Sequence, residues 1–167
     1  MNLFDHMRCE FSPDRVYRYC LRRTWELDNT PVVFIGLNPS IADETIDDPT
    51  IRRCCNFAKD WGFGGIIMLN LFAFRATDPE AMKKADDPVG PMNDAILKRE
   101  ILIDEPPLVV AAWGTHGVFK ERCYYVESLL RGSLSCLLRS KDGHPMHPLY
   151  LHHGLKPQPF SYEKGAR

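Results

Sequence analysis

This chain is predicted to fold as an α/β protein whose central, mainly parallel sheet is sandwiched between two layers of helices. Two observations carry that expectation. Short unbroken apolar runs recur at Val32-Val33-Phe34-Ile35, Ile66-Ile67-Met68-Leu69 and Leu108 to Trp113, and Leu134 to Leu138, interrupted only by Ser135, reads as a fourth strand. Runs of this length without polar alternation suit strands buried on both faces, the usual state of a parallel strand. Between the runs lie stretches with apolar residues at helical spacing, and alternating strand and helix is the pattern that builds a parallel sheet covered by helices.

Each element has its own local reason. Val16 to Trp25 is rich in β-branched and aromatic residues, and Tyr17, Tyr19 and Leu21 alternate with period two, so a strand is expected. Asp28-Asn29-Thr30-Pro31 is turn chemistry, and a hairpin with the strand at 32–35 is the expected arrangement. Gly36-Leu37-Asn38-Pro39-Ser40 ends that strand and leads into an acidic segment, 41–50. Asp48-Pro49-Thr50 is a helix start, with a capping side chain ahead of a proline in the first turn. Cys54, Cys55, Phe57, Ala58 and Trp61 keep a helical period until Gly62. A second strand stops at Asn70, and Asp78-Pro79 precedes a helix from about Glu80. Asn93 or Asp94 is expected to cap a helix through Leu102. A third strand ends at Gly114, a helix spans about 118–130, and a fourth strand feeds the loop Gly143 to Tyr150. The polar tail, 156–167, is expected to be loose beside a core of about 12–155.

The chain has 167 residues, an ordinary length for one domain with a real core. No apolar run reaches the roughly 18 residues of a membrane span, and the first ten residues lack the apolar centre of a signal peptide. A cytoplasmic address and no membrane partner are expected. The six cysteines show no Cys-x-x-Cys pair and no Cys/His spacing typical of zinc, so structural thiols are expected, with neither a metal nor a cofactor. The formal net charge is −1. A duplex-DNA binder usually carries a basic excess, because neutralising phosphates supplies much of its affinity.

In open parallel sheets ligands bind beyond the carboxyl ends of the strands. Here those ends carry Asn38, Asn70, Trp113-Gly114-Thr115-His116 and the pair His144/His147. Residues far apart in the chain are thus expected to meet on one sheet edge.

The segments at these junctions, GLNPSIADETIDDPTIRRCCNFAKDWGF, NLFAFRATDP, AAWGTHG and DGHPMHPLYL, together resemble domain-of-unknown-function family 1643 of bacteria and phages, over about Arg18 to Leu151. A more distant resemblance is to the uracil–DNA glycosylase superfamily. GLNPS is similar to the GINPG or GMNPG motif of its mismatch-specific members. IIMLNLFAFR is similar to a strand ending LLLN, followed by an LTVR-like turn. VVAAWGTHG is similar to an LLWG strand end, and HPLYL to a final HPSPL, with Leu149 and Tyr150 replacing Ser and Pro. The order of the four motifs agrees.

That resemblance implies a glycosylase-like fold, recognition of a nucleobase in DNA or a nucleotide, and hydrolysis of an N-glycosidic bond. For a base in DNA this requires extrusion from the stack. Asn38 stands where many members have a water-activating Asp, and would orient the water. Asn70 would read the base edge, since an amide both donates and accepts. His147 would donate to the base as negative charge develops, with His144 and His116 as competitors. Asp43 is the candidate general base. Gly36, Leu37, Pro39, Ser40, Asp48, Phe72, Arg75 and Trp113 complete the expected binding set, and Leu151 occupies the place of a duplex-penetrating wedge. Each has a plainer reading. Asn38-Pro39-Ser40 also makes a turn and cap, Phe72 suits a core, and the acidic segment suits a solvated loop or a Mg²⁺ site. A binding module without turnover, or metal-assisted transfer on the same scaffold, are the rival functions.

Overall fold

The computed structural model describes residues 7–103, 106–130 and 132–162. Among these residues seven strands form one sheet: β1 (Met7–Phe11), β2 (Arg18–Thr24), β3 (Pro31–Gly36), β4 (Gly65–Asn70), β5 (Val109–Ala111), β6 (Leu134–Cys136) and β7 (Gln158–Pro159). Their spatial order is β1-β2-β4-β3-β5-β6-β7. The central four, β4, β3, β5 and β6, are mutually parallel. The flanking strands pair antiparallel: β1 with β2, β2 with β4, and β7 with β6.

The expected hairpin between 16–25 and 32–35 does not form. β3 has β4 on one side and β5 on the other, so both its edges are taken by parallel partners. β2 pairs instead with β4 and, across a tight turn, with β1. The tail differs as well. Gln158–Pro159 joins β6, and Phe160 is buried against the core, so this part of the tail is anchored. Residues 163–167 of the expected loose tail lie outside the described residues, as do residues 1–6.

Among the described residues four α-helices flank the sheet: α1 (Pro49–Asp60), α2 (Pro79–Lys83), α3 (Asn93–Lys98) and α4 (Arg122–Leu130). Side-chain alternation along the central strands sends alternate residues to opposite faces. Val32, Phe34, Ile66, Met68 and Val110 pack with Ile51, Cys54, Phe57 and Ala58 of α1. Val33, Ile35, Ile67, Leu69 and Val109 pack with Leu97 of α3 and Val126 and Leu130 of α4 on the other face. Both faces being covered is why these strands read as unbroken apolar runs. Burial stabilises each such large side chain by about 1.5–3 kcal/mol, so the sheet edge they define is a firm platform.

The helices start and stop for local reasons. Asp48 caps α1, its Oδ1 accepting from the Ile51 amide at 2.9 Å, with Pro49 at the first turn. Asp78 caps α2 in the same way, accepting from Glu80 N at 3.0 Å. Neither Asn93 nor Asp94 caps α3. Met92 takes that position without a side-chain bond, while Asn93 is buried inside the helix. The helix expected through Leu102 passes at Arg99–Ile103 into a π-turn. The helix expected at about 118–130 is two pieces, a 3-10 stretch at Thr115–Glu121 and α4. Lys120 and Glu121, at φ 52° and 56°, break the run between them. All six cysteines are free thiols: Cys54 faces the core, and its neighbour Cys55 is half-buried. No helix among the described residues is long and apolar enough to cross a membrane.

Candidate functional site

A cavity of about 490 Å³ opens at the carboxyl edge of β3 and β4. Of the expected residues, its wall brings together Gly36, Leu37, Asn38, Ser40, Asp48, Asn70, Trp113, His116 and His147. Arg18, Thr50, Thr77, Thr115, Leu149 and Tyr150 also contribute. The volume falls within the usual range of small-molecule pockets, about 300–1,000 Å³.

Asn38 follows β3. Its amide nitrogen is turned to the backbone, donating to the carbonyl of Ala76 at 2.8 Å, with longer contacts to those of Pro39 and Phe74. Three carbonyls around the NH₂ group fix which end of the amide is which. The oxygen is left as the group that Asn38 can offer to a ligand, and it can only accept. Asn38 is therefore pre-set as an acceptor.

Asn70 ends β4 opposite Gly36, its parallel partner. Its side chain is 1% exposed, and both Oδ1 and Nδ2 are buried without a hydrogen bond. A buried polar group without a partner costs about 1–3 kcal/mol, and native proteins seldom leave one so. The residue is held from behind through its backbone. Asn93 Nδ2 donates to the carbonyls of Asn70 and Leu71, each at 3.1 Å, and Arg122 Nε donates to Leu71 O at 3.1 Å. Arg122 is in turn paired with Asp94 at 2.7 Å. Gly36 leaves the room Asn70 needs, since a Cβ there would stand 2.9 Å from Asn70 Oδ1 and 2.8 Å from Met68 Cε.

His147 comes from the loop after β6. Gly114 N donates to Pro145 O and Met146 N to Leu138 O, both at 2.9 Å, tying that loop to the end of β5 and to the chain after β6. His147 Nδ1 accepts from Leu149 N at 3.2 Å, capping the 3-10 turn Pro148–Tyr150. That bond assigns the proton of the neutral ring to Nε2, which is a donor. Burial holds the imidazole below its ordinary pKa, against the opposing pull of the Asp48 charge.

Asp48 is 6% exposed and, among the described residues, is the one carboxylate in the cavity wall. Asp43, expected as the general base, is elsewhere. Its Oδ1 accepts from the amides of Thr45 and Ile46, both at 2.8 Å, and these bonds hold its carboxyl below the usual carboxylate range. It is a turn-former, and a weakened base. The rest of the acidic segment is also spoken for: Glu44 pairs with Arg15 and Asp47 with Arg23, both at 2.8 Å. Those carboxylates meet cations, so the segment lacks the convergent oxygens of a Mg²⁺ site.

Other expected residues stand away from the cavity wall. Pro39 is buried beside Asn38 and lends its carbonyl to Ala76 N. Phe72 is core, tilted against Phe119 at 5.6 Å. Arg75 donates to Arg15 O at 3.2 Å and lies over the Phe11 ring. His144 faces Tyr162, with Nδ1 and the phenol oxygen 3.4 Å apart. Leu151 is buried against α1, its carbonyl taken by Arg53, and so is no exposed wedge. Tyr150, 83% exposed at the cavity, is the aromatic at the mouth.

Arg18 was missing from the expected set. It opens β2, is 2% exposed, and lines the cavity. Because β2 runs antiparallel to β4, the start of β2 lies at the edge where β4 ends. The signal in the sequence was an arginine at the head of an apolar strand, Tyr17-Arg18-Tyr19-Cys20-Leu21. Reading it required the pairing.

Fold and cavity together define an α/β protein with a ligand-sized site, carrying several polar side chains, at the carboxyl edge of a parallel sheet. Residues 18–149 match the family model described as "Protein of unknown function (DUF1643)", and the chain belongs to that family. No curated protein matches the chain, and neither does any solved structure.

Proposed function

We propose that this chain binds a nucleobase in the cavity at the ends of β3 and β4 and hydrolyses the N-glycosidic bond joining that base to its sugar. One observation carries the reading: the buried, unpartnered amide of Asn70, in the same wall as Asn38 and His147. An amide with both ends free complements a heterocycle edge that presents an acceptor beside a donor. The resemblance of the four strand-end motifs to uracil–DNA glycosylases supports the same chemistry.

In the proposed reaction the bond between C1′ and the base nitrogen breaks, and its electron pair leaves with the base. Nε2–H of His147 donates to the base as that charge develops. Asn38 Oδ1 accepts a hydrogen bond from the attacking water and sets its direction. The water oxygen bonds to C1′, and the carboxylate of Asp48 takes up the released proton. Asp48 also offsets positive charge on the oxocarbenium-like sugar. The base is protonated from solvent after release.

The test is to incubate the purified protein with nucleosides, nucleotides and single- or double-stranded oligonucleotides carrying modified bases, and to assay free base by chromatography. Release that disappears in Asn38→Ala and His147→Ala supports hydrolysis. A second reading, base binding without turnover, is favoured by Asn38 itself, whose amide cannot accept a proton as a carboxylate does. Binding that depends on Asn70, with no base released from any substrate, selects it.

A further inference from the structure

We propose that Arg18 is the phosphate anchor of this cavity and that the ligand is a free mononucleotide; the inference rests on the nucleobase reading above. Arg18 is 2% exposed in the cavity wall. A guanidinium has five N–H donors and stays charged in proteins. Here its side chain makes one hydrogen bond, Nη1 to the carbonyl of Ala42 at 2.8 Å, and Nε is buried with no partner. Among the described residues no carboxylate lies within ion-pair distance of it. The other buried arginines, Arg23 and Arg122, are each paired, with Asp47 and Asp94. A buried, unpaired cation is strongly unfavourable unless something neutralises it.

Asp48 shares the cavity and its charge favours the Arg18 cation, but the two form no ion pair. Asp48 Oδ1 caps α1 at the Ile51 amide, where the positive end of the helix offsets its charge. Arg18 is left without a carboxylate paired to it, so its guanidinium keeps donors that an anion can take. The hydroxyl-bearing residues Ser40, Thr50, Thr77 and Thr115 share the wall and add donors suited to phosphate oxygens. Two features favour a free nucleotide over a polymer. The chain's formal net charge is −1, which provides no general attraction to a phosphate backbone. The cation is also inside the cavity, where a terminal phosphate reaches it more readily than a continuous strand.

The test compares a nucleoside with its 5′-monophosphate by calorimetric titration, for each common base, in the wild type and in Arg18→Met and Arg18→Lys. In the wild type the phosphate is expected to strengthen binding about 10- to 100-fold, the scale of charge-assisted hydrogen bonds. Arg18→Met should abolish that increment, so that nucleoside and monophosphate bind it alike, and melt no lower than the wild type, because a buried charge without an ion-pair partner has been replaced by an apolar chain. Inorganic phosphate should raise the melting temperature of the wild type and not of Arg18→Met. Equal wild-type affinity for nucleoside and monophosphate overturns the proposal while leaving base recognition standing, and it needs no variant to fold. Phosphate binding without nucleobase selectivity sinks the base reading and leaves the anion site. Tighter binding of an abasic oligonucleotide than of the monophosphate assigns the anchor to a polymer and overturns the free-nucleotide assignment. Should Arg18→Met fail to fold, retention of the full phosphate increment in Arg18→Lys, which lacks the planar fork, counts against a built site.

Discussion

Replacing Asn70 with leucine should make the unliganded protein more stable while destroying base recognition. Both polar atoms of the Asn70 side chain are buried without partners, and the residue is 1% exposed. Each such atom costs about 1–3 kcal/mol. Leucine is of similar size, carries no polar atom and gains apolar burial. Against that stands crowding near Gly36 and Met68 Cε, where overpacking costs about 1–3 kcal/mol. The balance is a gain of about 2 kcal/mol, which for a chain of this length raises the melting temperature by about 4–8 °C. Calorimetry and urea unfolding read the change directly. Asn93→Leu is the internal control. That amide is also fully buried and its Oδ1 has no partner, but its nitrogen bonds two backbone carbonyls; stranding both carbonyls outweighs relief of the one oxygen, so its removal should destabilise by about 1–3 kcal/mol. A melting temperature for Asn70→Leu below that of the wild type would refute the reasoning, because it would mean the amide already has its partners. Undiminished nucleobase binding in the same variant would refute it from the other side.

Two further outcomes follow from the cavity wall. His147 is held below its ordinary pKa of 6.5 by burial, so the unfolded chain binds its proton first as the pH falls. The stability contribution is complete above 6.5 and is lost as the pH drops towards the depressed value; denaturant midpoints between pH 7.5 and 5 should show this slope, and His147→Gln should flatten it. Asp43 and Asp48 should separate cleanly. Asp43→Ala removes a turn and costs about 1 kcal/mol with base release intact, whereas Asp48→Asn keeps an acceptable helix cap and abolishes release. Equal turnover in both variants would remove Asp48 from the chemistry.

Much of this site was legible because strand ends announce themselves. The apolar runs at 32–35 and 66–69 stop at glycine or asparagine, and parallel strands place those stops on one edge. Asn38, Asn70 and His147 could be expected together on that ground alone. Asp43 and Asp48 were harder to separate. Both precede residues whose amides need an acceptor, but Asp48 alone heads a long helix that packs under the sheet and carries it to the cavity. Sequence spacing gives the capping chemistry and not the direction of the cap. Leu151 and Phe72 show the same limit for apolar residues, since a wedge and a core side chain have one composition.

Arg18 marks where a strand-by-strand reading gives out. Along the chain it is one of several arginines in an alternating segment, and Arg22 and Arg23 look no different. Register distinguishes them. Arg22 and Arg23 lie opposite Ile67 and Ile66, towards the start of β4, and both find carboxylates there, Glu100 and Asp47. Arg18 falls beyond the other end of that pairing, where its backbone amide bonds Ala73 O and its side chain enters the ligand edge. An antiparallel strand added to a parallel sheet brings its amino end to the place where its neighbours bring their carboxyl ends. A cation can thereby be set into the site from a segment that contributes no loop to it. On the reading proposed above, the strand that flanks the parallel core therefore also sets the charge the cavity accepts.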